Sequence, residues 1–226
     1  MLCQSHTIVK NEKDRITFYP LRCRCWHCPE CHAARTARLI DEAKQGKPNI
    51  FITLTSRRRP NWTPDYAARR LAVAFRIIRA EYLRAHGKSS FPFLCVFEKT
   101  KRGWPHLHIV GRCKWLDQKW LSNRMRQLTD SPIVDVRRIS NLGKITNYIT
   151  KYIGKDPSKF EGTKRYWRSQ DYLRPSPDEE PPIIIPYFYW ETLNENWRAC
   201  AEQFQHLPGT LTWHRTHAVY ERQVPP

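Results

Sequence analysis

Residues 93–111 read FLCVFEKTKRGWPHLHIVG, two largely apolar runs separated by a basic turn at 99–103. Runs of this length, joined by a short polar turn, are typical of two strands that pair as a hairpin. Side chains two residues apart on a strand share one face. His106 and His108 should therefore point the same way, while Leu107 should point into a core.

The segments around this hairpin predict an α+β fold. Alternating apolar residues indicate strands, and apolar residues at helical spacing indicate helices. Thr63 and Pro64 have the residue types preferred at the N-cap and first position of a helix, and Gly87 should stop that helix. We expect strands over 50–55, 93–98, 106–112 and 133–139, and helices over 33–45, 64–86, 116–128 and 143–153. Strands and helices in this order predict a central antiparallel sheet with helices on one side.

The 226 residues are enough to bury a full core, so we expect one main domain with additions. Residues 1–32 should form an irregular, cysteine-rich, zinc-binding lead-in. Residues 33–174 should form the main domain. Residues 175–182 contain four prolines and three acids and should form a linker, followed by a C-terminal tail over 183–226.

The composition favours a polyanionic partner. Lysine and arginine outnumber aspartate and glutamate by 39 to 21, which gives a formal charge of +18. Nine tryptophans, ten tyrosines and nine phenylalanines accompany this charge, as a base-stacking surface requires. Nucleic acid, and single-stranded DNA in particular, is the expected partner; the bland alternative is a basic protein with an aromatic core.

The chain has no run of 18 apolar residues and no signal-peptide pattern at its N-terminus. We therefore expect no membrane partner. Four of the eight cysteines lie within nine residues, which is the spacing of metal ligands and not of a disulfide framework. This pattern predicts a reducing, cytoplasmic compartment.

The clustered cysteines predict a structural zinc site. Zinc takes four ligands, of which Cys25, Cys28 and Cys31 would supply three and Cys3 the fourth. The reserve ligands are Cys23, His6, His27 and His32. The site would tie the N-terminal segment to the basic helix that follows it.

The hairpin also carries a candidate catalytic metal site. His106 and His108 offer two imidazoles on one face, and Glu98 on the preceding strand can face them across the turn. Two histidines and one carboxylate leave open positions on Mg²⁺ or Mn²⁺, which can polarise a phosphate. The alternative is that both histidines are ordinary hydrogen-bonded surface residues.

A candidate nucleophile lies on the predicted helix over 143–153. Tyr148 and Tyr152 are four residues apart and so share one helix face. Tyrosine is a weak nucleophile at its free pKa of about 10, and a polarised phosphate would help it attack. Lys151 could stabilise phosphate charge or protonate the leaving oxygen. The alternative is an amphipathic helix that buries two aromatic residues.

Basic clusters at predicted turns and strand ends are candidate DNA contacts, although a solvated surface is the alternative for each. They consist of Arg57, Arg58, Arg59, Lys101, Arg102, Arg137 and Arg138.

Three motifs occur in a fixed order: FITLT at 51–55, PHLH at 105–108 and YITKY at 148–152. In this order they resemble the motifs of HUH-superfamily rolling-circle replication initiators, the Rep endonucleases. Relaxases place their tyrosines before the histidines. The likeness extends to the initiators of microviruses, especially the gokushovirus-type single-stranded DNA phages, which have an early cysteine followed by a C-x2-C-x2-C run.

This resemblance implies an HUH endonuclease fold, RRM-like, with His106, His108 and Glu98 as metal ligands and Tyr148 and Tyr152 as alternating nucleophiles. It implies nicking of a replication origin, a 5′-phosphotyrosine intermediate, and a free 3′-OH for the host replication machinery. A phage-encoded protein would act in the bacterial cytoplasm. A single-strand HUH transposase and a non-catalytic, zinc-containing nucleic-acid-binding regulator are the alternative functions.

Overall fold

A computed structural model describes residues 3, 5–87, 90–140, 157–173 and 189–223. The chain divides into two compact units, which are treated separately below. The smaller unit joins Met1–Arg35 with Ser176–Pro226, and the larger one is Thr36–Pro175.

The described residues form an α+β structure with ten strands and four helices. The strands are β1 (Thr7–Asn11), β2 (Arg15–Pro20), β3 (Ile50–Thr55), β4 (Phe93–Lys99), β5 (Pro105–Gly111), β6 (Val134–Arg138), β7 (Tyr166–Arg168), β8 (Tyr189–Leu193), β9 (Gly209–Trp213) and β10 (Ala218–Arg222). The helices are α1 (Pro29–Gln45), α2 (Pro64–Ala85), α3 (Gln118–Thr129) and α4 (Trp197–Glu202).

The larger unit is built on a five-stranded antiparallel sheet with the order β6-β3-β5-β4-β7. The predicted hairpin is confirmed: β4 pairs with β5. Alternation along β3 places Ile50, Ile52 and Leu54 in the core, where α2 and α3 cover that face of the sheet. The threonines between these residues consequently lie on the opposite face.

Helix α2 begins as its sequence predicts. Thr63 is the N-cap, its side chain accepts a hydrogen bond from the backbone N–H of Tyr66, and a proline stands at the helix start. Helix α3 starts two residues later than expected, because the carboxylate of Asp117 caps it by accepting from the N–H of Trp120 at 2.7 Å. The predicted apolar stripe of α2 is buried throughout: Ala67, Leu71, Phe75, Ile78 and Tyr82.

The smaller unit contains a second antiparallel sheet, with the order β8-β1-β2-β10-β9. Helix α4 packs on one face of this sheet, and Trp197 joins Val9, Phe18 and Tyr220 in its core. The sequence was interpreted as irregular over residues 1–32, but β1 and β2 form a hairpin there. The reason is that β1 is stabilised by pairing with β8, a segment far away in the chain.

No helix among the described residues is long and apolar enough to cross a lipid bilayer.

Candidate metal and nucleic-acid site

The two histidines of β5 lie on the sheet face opposite the α2–α3 layer. His106 is opposite Thr55 on β3 and Glu98 on β4, while His108 is opposite Thr53 on β3. Leu107, between the histidines, is buried in the core, as the sequence predicts. Strand pairing has therefore gathered two imidazoles, a carboxylate and two hydroxyls on one face.

His108 is the most constrained member of this group, with 2% of its surface exposed. Its Nε2 lies 2.8 Å from Oε2 of Glu98, and its Nδ1 lies 3.1 Å from Oγ1 of Thr53. Its ring also stacks on Phe51, with ring centroids 5.8 Å apart. The ring is thus held in one orientation by contacts on both nitrogens and on its face.

The environment of His106 favours a neutral imidazole. Burial lowers the pKa of His106, and the neighbouring His108 lowers it further, while the charge of Glu98 opposes both effects. A neutral imidazole can donate a lone pair to a metal ion, whereas a protonated one cannot. The ring centroids of the two histidines lie 6.0 Å apart.

This donor set fits a divalent cation. Glu98 contacts His108 directly and stands opposite His106 in the ladder, so one carboxylate reaches both histidines. A hydrogen bond from Nδ1 of His108 to Thr53 would leave Nε2 as the ligand atom, the usual way a second contact sets the tautomer of a metal-binding histidine. Two imidazoles and one carboxylate leave positions open for a phosphate.

Sequence reasoning missed Asp135 on the same face. Asp135 is opposite Thr53 on the edge strand β6, so it stands in the row that also holds His108. Its carboxylate is 2.7 Å from Nε of Arg137. The signal was present in the alternation of residues 134–138, but only the sheet order shows that β6 adjoins β3.

The predicted basic clusters separate between the two ends of the sheet. Arg57 and Arg58 follow the Thr55 end of β3 and are exposed, and Lys101 and Arg102 occupy the exposed β4–β5 turn at the same end. Arg59 forms an ion pair with Asp130. Arg137 and Arg138, in contrast, pair with the opposite end of β3. Two of the three clusters therefore flank His106, and the third lies away from it.

Tyr148, Lys151 and Tyr152, the predicted catalytic residues, lie outside the described residues. Their position relative to His106 and His108 is therefore known only from the order of the motifs in the sequence.

A separate cysteine group lies in the smaller unit. Sulfur atoms of Cys3, Cys23, Cys28 and Cys31 all lie within 4.8 Å of one another. The Cys3–Cys31 and Cys23–Cys31 sulfur distances are 3.4 and 3.8 Å. Four thiolates around a zinc ion at Zn–S of about 2.3 Å stand about 3.8 Å apart. This group could therefore hold a metal such as zinc, and among the described residues it is the one set gathered this tightly.

The structure brings Cys23 into this group and leaves Cys25, the expected ligand, outside it. Between them Arg24 adopts a left-handed backbone conformation with φ of 53°, which turns the two thiols in different directions. The backbone N–H of Cys25 donates to Sγ of Cys23 at 3.4 Å and lowers the pKa of the Cys23 thiol to about 7. A thiol that ionises near neutral pH is a ready metal ligand.

Residues 49–157 match the family model of the replication-associated protein ORF2. The matched segment contains β3, β4, β5 and β6, and therefore both histidines and Glu98. This match supports a rolling-circle replication-initiator family, and with it DNA replication and interaction with DNA. No curated protein and no solved structure matches the chain.

Proposed function

We propose that this protein is a replication initiator of the HUH type that nicks single-stranded origin DNA and rejoins the strands. The observation that carries the proposal is the grouping of His106, His108 and Glu98 on one sheet face, within the segment that matches a replication-associated family. The antiparallel sheet with helices on one side is the framework that an RRM-like endonuclease requires. The early cysteines add to the likeness with the microvirus initiators.

In this proposal Glu98, His106 and His108 hold Mg²⁺ or Mn²⁺. The bound ion would polarise the scissile phosphate and neutralise part of its charge. Thr53 and Phe51 keep the His108 ring in place, so the ligand geometry is set before DNA arrives.

The nucleophile in this proposal is the hydroxyl of Tyr148 or Tyr152, residues that the sequence places on one helix face. The tyrosine oxygen forms a bond to phosphorus while the bond from phosphorus to the 3′-oxygen breaks. The products are a 5′-phosphotyrosine and a 3′-OH, whose proton Lys151 is positioned by sequence to supply. Host polymerase would extend this 3′-OH, and the second tyrosine would attack after one round of synthesis.

The DNA strand would be held by the basic residues at the His106 end of the sheet. Arg57, Arg58, Lys101 and Arg102 are exposed there and can neutralise phosphates on both sides of the metal group. The excess positive charge of the chain falls within Thr36–Pro175, the unit that contains this site.

Incubation with circular single-stranded DNA of the phage type and Mn²⁺, followed by a denaturing gel and mass spectrometry, tests the proposal. We expect a covalent protein–DNA adduct on a tyrosine, and we expect none when the divalent ion is chelated. A protein that binds the DNA but yields no adduct under any divalent ion would be the non-catalytic regulator instead. Cleavage confined to the ends of a mobile element would indicate a transposase.

A further inference from the structure

A second aromatic and basic surface lies at the end of the larger unit's sheet that is remote from His106. Asn49 builds this end by bridging two chain segments. Its side chain exchanges two hydrogen bonds with the backbone of Cys113, at 2.8 and 3.1 Å, and its carbonyl accepts from the N–H of Ile139 at 2.9 Å. The residues after β5 are thus held beside the end of β6, where Arg138 is exposed.

Two tryptophans are exposed on this surface. Trp115 and Trp120 have 48% and 39% of their surfaces exposed, whereas the residues that follow them, Leu116 and Leu121, are buried at 2% and 1%. The leucines anchor the segment in the core, so the tryptophans stand outward on a fixed base. Asp117 caps α3 between the two tryptophans and stabilises the turn that presents them.

Each tryptophan directly follows an exposed lysine along the chain, namely Lys114 and Lys119. Arg138 adds a third positive charge at the same end of the sheet. The nearby acid, Asp117, is occupied as the helix cap, so the surface is positive as well as aromatic. Indole rings stack on unpaired bases of any sequence, and neighbouring cations attract the phosphates between those bases.

This surface is distinct from the metal group. His106 is opposite Thr55 in the β3–β5 ladder, while Gly111 is opposite Ile50 at the other end. Five residues of strand separate the two ends, a distance of about 17 Å at ~3.4 Å per residue. Trp115 lies beyond Gly111, so a strand of DNA cleaved at His106 needs additional length to reach it.

We propose that Lys114, Trp115, Lys119 and Trp120 form a second binding surface for single-stranded DNA, which holds the strand away from the cleavage site. This inference rests on the proposed function for its ligand class. The surface adds affinity for long strands and little for strands that span only the metal site.

Fluorescence anisotropy with two oligothymidylates, one of about 10 and one of about 30 nucleotides, tests the surface, because single binding modules cover about 4–16 nucleotides. The wild-type protein should bind the long strand much more tightly than the short one. The Trp115→Ala/Trp120→Ala variant should lose at least about fivefold in affinity for the long strand per tryptophan removed. Its affinity for the short strand should change little.

Trp213→Ala is the matched control, because Trp213 is similarly exposed, at 41%, but belongs to the smaller unit. It should bind both strands like the wild-type protein. Lys114→Glu/Lys119→Glu, which alters only exposed side chains, should lower the salt dependence of long-strand binding and provides a second test if the tryptophan variant folds poorly.

Wild-type affinity of both double variants for the long strand would overturn the proposal, and the surface would then serve another partner. Because the readout is binding, failure of the nicking proposal is seen separately. His106→Ala should abolish covalent adducts and leave the preference for the long strand intact.

Discussion

Oε2 of Glu98 lies 2.8 Å from Nε2 of His108, across the hairpin formed by β4 and β5. The two residues are ten positions apart in the chain and belong to different strands. Their contact joins a carboxylate to the pair of histidines that the sequence places on one face. It is the geometric basis for a divalent-metal site in this protein.

The histidine pair should be required for cleavage and dispensable for binding. His106→Ala or His108→Ala removes one of three ligands, so we expect loss of covalent adduct in both Mg²⁺ and Mn²⁺. Affinity for single-stranded DNA should stay within a few-fold of wild type, because the phosphate contacts lie elsewhere. His206→Ala, an exposed histidine of the smaller unit, is the control. Normal nicking by His108→Ala would refute the metal assignment.

The cysteine group should contain one zinc ion per chain, since four thiolates complete its coordination. Cys23→Ser and Cys25→Ser form a matched pair, because the two residues are neighbours in sequence but only Cys23 belongs to the group. We expect Cys23→Ser to lose zinc and to unfold at a lower temperature, and Cys25→Ser to retain both metal and stability. Elemental analysis of the purified variants checks this, and the reverse pattern would restore Cys25 as the ligand.

The tyrosine prediction rests on the sequence alone. If both hydroxyls attack in turn, Tyr148→Phe and Tyr152→Phe should each retain some single cleavage, and the double variant should retain none. We expect Tyr148→Phe to be the more impaired, since Tyr148 heads the YxxK unit that resembles initiators with one tyrosine. Tyr189→Phe is the control. Complete circularisation by Tyr152→Phe at the normal rate would show that a single nucleophile suffices.

The contact between α2 and α3 predicts a pH-dependent contribution to stability. Arg124 donates two hydrogen bonds to the carboxylate of Glu81, one of them at 2.7 Å, and these lower the pKa of Glu81 below its ordinary value of 4.5. The pair therefore stabilises the fold above pH 4.5 and loses this effect as the pH falls through the lowered value.

Glu81→Gln should consequently reduce the free energy of unfolding by about 0.5–1 kcal/mol at neutral pH. In urea denaturation the difference from wild type should shrink as the pH is lowered below 4.5. A double-mutant cycle with Arg124→Met isolates the pair from the other contacts of each residue. A difference that is constant with pH would mean that the charge of Glu81 contributes nothing.

Much of the larger unit follows from local patterns in the sequence. Alternation in β3 and β5 placed Leu54 and Leu107 in the core, and the residue types at 63–64 marked the start of α2. The shared face of His106 and His108 is a consequence of strand geometry itself. These features were predictable because each depends on residues only a few positions apart.

The pairing of distant segments was not predictable in this way. Thr7 of β1 stands opposite Leu193 of β8, so the two ends of the chain share one sheet, although neither segment indicates its partner. The sequence likewise could not show that β6 brings Asp135 beside Thr53. Such pairings depend on which buried faces fit together, and periodicity does not record this.

The sequence by itself determined the sheet face of the two histidines, the start of α2 and the presence of a cysteine cluster, since each is set by short-range geometry. Only the tertiary structure decided that Glu98 contacts His108 and that Cys23, not Cys25, joins the sulfur group. The physical reason is that the first depends on strand register and the second on a left-handed turn at Arg24. Both are properties of the folded backbone.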